Sequence, residues 1–305
     1  ANIPTAERLR RHAYRIPMIE TVDTLSALRA RILEWKRAGL RIGLVPTMGN
    51  LHAGHFSLVE ALRARVDRVV ASVFVNPTQF GPNEDFARYP RTPERDAEGL
   101  DAAGCDLLWL PTVEAMYPLG LHNAVTVRVP GVSEILDGAH RPGHFDGVAT
   151  VVARLLNQVQ PDVAAFGRKD YQQLAVISHL VTDLAFPVEL LPVAIAREAD
   201  GLALSSRNQY LDAASRARAP ALYRSLLALA QAMRSGAPAA EAASQAIAAL
   251  RAEGFDVDYV EVRAPDLSPY LAGQPVAVAL AAARLGGTRL IDNLEFRLDA
   301  APSAG

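Results

Sequence analysis

His52 and His55 stand three residues apart in PTMGNLHAGH. They follow a short apolar run, RIGLVP at 41–46, and precede an amphipathic stretch. Residues at i and i+3 of a helix share a face. At a helix mouth such a pair can cap the first turn. It can also donate hydrogen bonds to an anion drawn there by unpaired N–H groups and the positive dipole end. Gly49 allows a tight turn before the helix, and Gly54 allows close backbone approach. A zinc pair is a third option, but it usually shows i, i+4 spacing with a glutamate, and no convincing third ligand stands nearby. No metal site is therefore expected in the protein itself.

Other segments carry chemistry of the same kind. VNPTQFGPNEDFARYPRT (75–92) is long, polar and punctuated by proline. Its Asn76 and Gln79 could bind a hydroxyl or a carboxylate, or the segment could be a loop held by its own hydrogen bonds. FGRKDYQQL (166–174) offers Gly167 at a strand end and Lys169 to neutralise phosphate. It also offers Asp170 as a helix cap, and Gln173 one turn into the helix, where it could face a cleft. In READGLALSSRNQYL (197–211), Ser205, Ser206 and Arg207 form a compact cluster suited to an anion, with a bidentate fork on Arg207. The bland alternative is a surface loop with a capping serine. HRPGHFDGVATVV (140–152) adds Arg141 and His144 before a helix. Several such loops at strand ends argue for a polyphosphate ligand, most simply a nucleoside triphosphate. Neither GxxxxGK[ST] nor a GxGxxG after a strand is present, so the histidines must share the charge-stabilising work.

The elements that must position these residues alternate. Leu25, Leu28, Ile32 and Trp35 have helical spacing within 24–38, and Gly39 ends that helix. Strands are expected at 41–46, 68–77, 106–110, 124–129, 161–167 and 187–193. Helices are expected at about 52–66, 93–103, 145–159 and 170–186. This alternation implies a parallel sheet covered on both faces, with ligands outside the carboxyl ends of the strands. After about residue 194 the pattern changes to a helix-rich stretch, 213–233, a second helix to Gly254, and strands at 258–263, 276–285 and 288–296. Gly286-Gly287 marks a hairpin between the last two. A smaller α+β domain follows.

Bulk properties bound the function. The chain has 305 residues, 50% hydrophobic, and a net charge of −2. That is no basic excess for nucleic acid. The single cysteine, Cys105, excludes an intrachain disulfide and fits a reducing compartment. No apolar run approaches a membrane span, and the first fifteen or so residues lack the apolar core of a signal peptide. A cytoplasmic location is expected, with residues 1–16 a loose extension.

VPTMGNLHAGH, FVNPTQF, EDFARYPRT, RPGHFDGVATVVARLLNQVQPDVAAFG, KDYQQL and DGLALSSRNQYL occur in an order that closely resembles the pantothenate synthetase, or pantoate–β-alanine ligase, family. The likeness spans about residues 18–298. His52-Ala53-Gly54-His55 fills the HxGH-type signature of the nucleotidyltransferase superfamily. The resemblance implies a Rossmann-like α/β sheet with helices on both faces (1–193) and a smaller C-terminal α+β lid (194–305), in a homodimer. It implies adenylation of (R)-pantoate by ATP with Mg²⁺, then attack by β-alanine, giving pantothenate, AMP and pyrophosphate. Met48, Gly49, Asn50, Leu51, His52, Ala53, Gly54 and His55 would hold ATP. So would Gly167, Arg168, Lys169, Asp170, Ala196, Leu204, Ser205, Ser206 and Arg207. His55, assisted by His52, Lys169 and Arg207, would serve the chemistry. Gln79 and Gln173 would grip pantoate, with Asn76 nearby. Arg168 stands where Glu or Gln is common, and Ala196 where Val or Thr is frequent. An adenylyl- or cytidylyltransferase acting on a phosphate monoester is the alternative enzyme, but it would call for more Arg or Lys at the positions of Gln79 and Gln173. A nucleotide-binding regulator without turnover is the alternative of another class.

Overall fold

The computed structural model describes residues 19–298 apart from Asn83. Six strands form the larger sheet: β1 (Glu20–Val22), β2 (Ile42–Thr47), β3 (Arg68–Val73), β4 (Leu107–Trp109), β5 (Val163–Gly167) and β6 (Glu189–Val193). They lie in the order β1-β4-β3-β2-β5-β6, and every pairing is parallel. The helices around it are α1 (Leu25–Arg37), α2 (Ala53–Arg63), α3 (Pro93–Ala103), α4 (Val113–Met116), α5 (Asp137–His140), α6 (His144–Val159) and α7 (Tyr171–Asp183). Alternate strand residues point to opposite faces, and here both faces are apolar. Leu44, Val70, Leu107 and Phe166 join a core with α1, α6 and α7. Val45, Ala71, Leu108 and Ala165 join another with α2 and α3. The strand order reverses at β2, since the chain steps out to β3 and β4 and then returns beside β2 as β5. The crevice beyond the ends of β2 and β5 is thus the switch point of the sheet.

The smaller unit holds α8 (Ala213–Arg218), α9 (Ala221–Arg234), α10 (Ala239–Ala252) and the antiparallel strands β7 (Asp256–Arg263), β8 (Val276–Leu285) and β9 (Thr288–Arg297). Gly286 and Gly287 both have positive φ and form the turn between β8 and β9, as their pairing predicts. Strand β8 serves two cores. Ala277, Ala279, Ala281 and Ala283 face α9 and α10, where small side chains admit the helices. Val278 and Leu280 face the other way and join the core of the larger unit. Polar bonds add to this joint. Arg289 of β9 donates to Asp137 of α5 at 2.6 Å and to Asp258 at 2.7 Å, and Tyr259 Oη donates to Asp137 at 3.1 Å.

Three expectations need correction. Residues 124–129 are not a strand. The segment runs along α6, where Thr150 Oγ1 accepts from Val127 N and Arg154 donates to Val125 O. Alternating valines favour extended backbone, but side chains of α6 satisfy it in place of a ladder. The helical stretch 213–233 is two helices, parted at Ala219-Pro220, because proline removes an N–H donor. The three-residue edge strand β1 was not expected at all. The extension at 1–16 lies outside the described residues. Among the described residues, no helix is long and apolar enough to cross a membrane.

Candidate active site

One cleft opens at the switch point. Its wall includes Met48, His52, Gly54 and His55 after β2, Gln79 after β3, and Gly167, Lys169, Asp170 and Gln173 after β5. Ala196, Leu204, Ser205, Ser206 and Arg207 close it from the segment after β6. Fourteen of the expected residues therefore meet in one place. Gly49, Asn50, Leu51, Ala53, Arg168 and Asn76 do not line it.

The turn into α2 is built from distant parts. Gly49 has φ of 86° and Asn50 of 51°, so the backbone curls left-handed. Asp96 of α3 then holds the curl: its carboxylate accepts from Asn50 N at 2.9 Å and Leu51 N at 2.8 Å. The histidines close the first turn reciprocally. His52 Nδ1 accepts from Gly54 N at 3.2 Å, and His55 Nδ1 accepts from His52 N at 3.3 Å. They are therefore caps, as the bland expectation held, but only through Nδ1. With Nδ1 accepting, each neutral ring carries its proton on Nε2. No protein acceptor among the described residues takes either Nε2–H, and both rings border the cleft. The expected seat of unpaired N–H groups is thus largely consumed by the caps, and imidazole donors replace it. The absence of a side chain at Gly54 matters here: a Cβ would sit 3.0 Å from the His52 ring.

Burial, more than any charge, lowers both imidazoles, His52 to about 4 and His55 to about 3. Lys169 pushes in the same direction, as does the neighbouring histidine for His55. Both rings are accordingly neutral donors near pH 7. Lys169 supplies the positive charge, on a side chain only 20% exposed and 3.6 Å from Asp170. Asp170 occupies the cap position of α7 but makes no capping bond with its side chain, so its carboxylate stays available to the cleft.

Gln79 is fixed from three directions. Asn76 Nδ2 donates to Gln79 Oε1 at 3.0 Å, which turns the Gln79 amide N–H₂ outward. Asn76 is itself buried and satisfied, donating to Gly147 O and accepting from Tyr117 Oη, so it orients Gln79 rather than reaching the cleft. His144 Nδ1 donates to Gln79 O at 2.8 Å, while His144 Nε2 accepts from Arg141 at 2.9 Å. This ring holds the opposite tautomer from His52 and His55, and burial lowers it to about 4. Gly147 of α6 abuts the same backbone: a Cβ there would lie 2.5 Å from Thr78 O. Arg141 and His144 are therefore supports of the 75–92 loop, not the anion ligands that their types indicate. Arg141 is held by Glu84 through two bonds of 2.6 Å.

The wall at 204–207 also departs from expectation. The Arg207 fork is already engaged, donating to Asp85 from Nε at 3.1 Å and Nη2 at 2.9 Å. Among the described residues, no acceptor takes its Nη1. Ser206 donates to Asn50 O at 3.0 Å, joining the two sides of the cleft. Ser205 Oγ accepts from Arg207 N and caps its own short turn. Arg168 points to Glu295 at 3.7 Å, outside the cleft. Asp85, Asp96 and Glu84 carry no local sequence signal, because their partners lie 45 to 122 residues away.

The histidines also set the acid side of the stability profile. A folded-state pKa below the unfolded value near 6.5 means that the unfolded chain binds protons first. Stability due to His52, His55 and His144 is full above pH 6.5 and is lost as pH falls toward their folded values. The melting temperature is expected to decline between pH 6.5 and 4. His144→Gln should flatten that decline, and calorimetry across this range checks both statements.

Among the described residues, no group of three or more His, Cys, Asp or Glu side chains is placed to hold a metal ion. The cleft offers instead neutral imidazole N–H groups, one ammonium and two glutamine amides. Beside them lies an apolar floor of Phe74, Val148, Val151, Val152 and Leu155. That set suits a polyphosphate next to a branched aliphatic acid.

Known proteins resemble this chain in sequence and fold. A family model described as pantoate-beta-alanine ligase matches residues 20–295. A pantothenate synthetase of Xanthomonas euvesicatoria pv. vesicatoria is 64% identical over 280 residues, which is 92% of this chain and 100% of that protein. The crystal structure of pantothenate synthetase from Thermus thermophilus has a TM-score of 0.82 at 50% identity, covering 90% of this chain and 99% of that one. A pantoate-beta-alanine ligase from Francisella tularensis, solved with beta-gamma ATP and beta-alanine, has a TM-score of 0.77 at 31% identity, over 93% of this chain and 100% of that one. By sequence and fold, the chain belongs to the pantoate-beta-alanine ligase family.

Proposed function

We propose that the cleft joins (R)-pantoate to β-alanine at the expense of ATP, through a pantoyl adenylate. The observation that carries this reading is the meeting of Gln79 and Gln173 with an apolar floor directly beside His52, His55 and Lys169. Pantoate is a branched aliphatic hydroxy acid. Its methyl groups fit the apolar floor, and its hydroxyls and carboxylate fit neutral amides. A phosphate-monoester acceptor would want cations where these glutamines stand.

The pantoate carboxylate attacks the α-phosphorus of ATP, and the bond to the β-phosphate oxygen breaks, releasing pyrophosphate. The amine of β-alanine then attacks the acyl carbon, AMP departs and one proton is released. Such transfer depends on positioning and on charge neutralisation more than on covalent help. His55 and His52 donate Nε2–H to phosphate oxygens, and Lys169 neutralises the charge that grows on pyrophosphate. Asp170 reaches the ribose, while Gly167 and Ala196 border the adenine. Met48, His52, Gly54 and His55 border the nucleotide site from the larger domain, and Leu204 to Arg207 cover it from the smaller domain, residues 194–305. Among the described residues, Asp170 is the one carboxylate that lines this cleft. Mg²⁺ accompanying the nucleotide would be held mainly by phosphate oxygens and water, with the Asp170 carboxylate alongside, and would supply charge to stabilise the leaving group.

ATP–pyrophosphate exchange tests the reading. Label should exchange with pantoate and ATP present and β-alanine absent; its absence would rule out the adenylate. A second expectation concerns Gly147→Ala. The added methyl collides with the Thr78–Gln79 backbone, so KM for pantoate should rise about tenfold or more, as misplacement of a positioning group does. KM for ATP should change less, and steady-state kinetics with each substrate varied gives both values. The reading includes a cytoplasmic homodimer, for which exposed Leu119, Leu121 and Val125 supply apolar surface. Sedimentation equilibrium should return twice the chain mass.

A further inference from the structure

Strand β9 of the smaller unit reaches across to the turn that presents Lys169. Asn293 Nδ2 donates to Arg168 O at 2.9 Å and to Lys169 O at 2.8 Å. Two carbonyl oxygens on one side of an amide admit only its N–H₂ group, so the orientation of Asn293 is fixed by its neighbours. The side chain is buried, 5% exposed, and the contact spans 124 residues of sequence. Within the turn Arg168–Asp170, the backbone otherwise lacks a ladder to hold it.

The residue before Asn293 fastens the opposite wall. Asp292, 4% exposed, accepts from Arg197 Nη1 at 2.6 Å and Nη2 at 2.8 Å. Arg197 also lies over the Tyr223 ring, 3.6 Å from its centroid. It stands at the base of a bridged loop, Arg197 to Ala203, that leads directly into Leu204–Arg207. Two successive residues of one strand thus tie both sides of the expected phosphate site. The rest of β9 supports the same turn, since Glu295 accepts from Tyr171 Oη at 3.2 Å and faces Arg168.

We propose that Asn293 is a positioning residue for Lys169: its bifurcated donation to the 168–169 carbonyls sets where the ammonium meets the triphosphate. The proposal rests on the reading that Lys169 serves the phosphates. Asn293 does not line the cleft and acts through the backbone of the turn. The smaller unit is then more than a cover, because one of its strands fixes a charge that the larger unit carries.

Asn293→Asp tests this. The variant keeps the shape of the side chain but turns an anionic oxygen toward two carbonyls. ATP–pyrophosphate exchange is measured for the wild type, Asn293→Asp, Lys169→Ala and the double variant. Exchange by Asn293→Asp is expected to fall about tenfold to a hundredfold. In the Lys169→Ala background, the Asn293 change should cost nothing further, because the group it positions is gone. A purely structural role would instead multiply the two losses. The proposal is overturned if Asn293→Asp exchanges within twofold of the wild type, or if the losses multiply. If Lys169→Ala itself exchanges normally, the placement of Lys169 at the phosphates fails, and this proposal with it. That result is distinct from a normal Asn293→Asp beside an impaired Lys169→Ala, which overturns the proposal alone. Should the aspartate variant not fold, Asn293→Ala removes the donor without adding charge and carries the same expectations.

Discussion

His55→Ala should slow adenylate formation about a hundredfold or more, as loss of one preorganised donor to a developing oxyanion does. Pyrophosphate exchange or single-turnover kinetics gives the number. The more telling comparison is with His55→Gln. His55 binds the His52 N–H through Nδ1 and leaves Nε2–H for the cleft. A glutamine carries an acceptor and a donor at its tip, so it can keep one of these roles, and it should recover part of the loss. If the ring were a proton donor in its cationic form, glutamine would recover nothing. The pH profile separates the same alternatives. Burial holds His55 at about 3 and His52 at about 4. Between pH 5.5 and 8 neither changes charge, and kcat/KM for ATP should show no step due to them. A step that disappears in His55→Ala would assign a proton-transfer role to this ring.

Lys169→Ala should cost more than either glutamine. Among the described residues it is the one lysine in the cleft wall, and it is held at low exposure. Removing a positioned cation from a departing pyrophosphate is expected to lower kcat for exchange about a hundredfold to a thousandfold. Affinity for ATP should fall less than the rate, because charge on the leaving group grows only as the bond breaks. Equilibrium binding of ATP beside exchange kinetics measures the split. Equal losses in both would mean that Lys169 binds the ground state and transition state alike. Lys169→Arg should not restore the rate: a planar fork needs a different approach from a compact ammonium on this short turn.

What sequence discloses here follows the range of each interaction. The histidine pair, Gly54, Lys169, Gln173 and the serine-arginine cluster are local patterns at strand ends, and the structure gathers them into one cleft. The parallel sheet is legible for the same reason, since each buried strand is a compact apolar run. The supports are not local. Asp96 holds the turn at residues 50–51 from 45 positions away, and Asn293 holds residue 169 from 124. Their side chains are common polar types in unremarkable company. Arg207 shows the other limit: its type and place indicate an anion, and the fork does hold one, but that anion is the carboxylate of Asp85. At 124–129, alternation reports extended backbone correctly and says nothing of whether a neighbour strand is present.

Strand β8 has a consequence for modularity. Its alanines belong to the core of the smaller unit, while Val278 and Leu280 belong to the core of the larger one. A strand apolar on both faces cannot be solvated on either without a loss of about 25 cal/mol for each Å² uncovered. Severing the chain near residue 194 would therefore strand an oily sheet face on one fragment and an open core on the other. The two halves are not interchangeable parts: a recombination experiment that swaps the smaller half between relatives must carry along the larger unit's core residues that Val278 and Leu280 join.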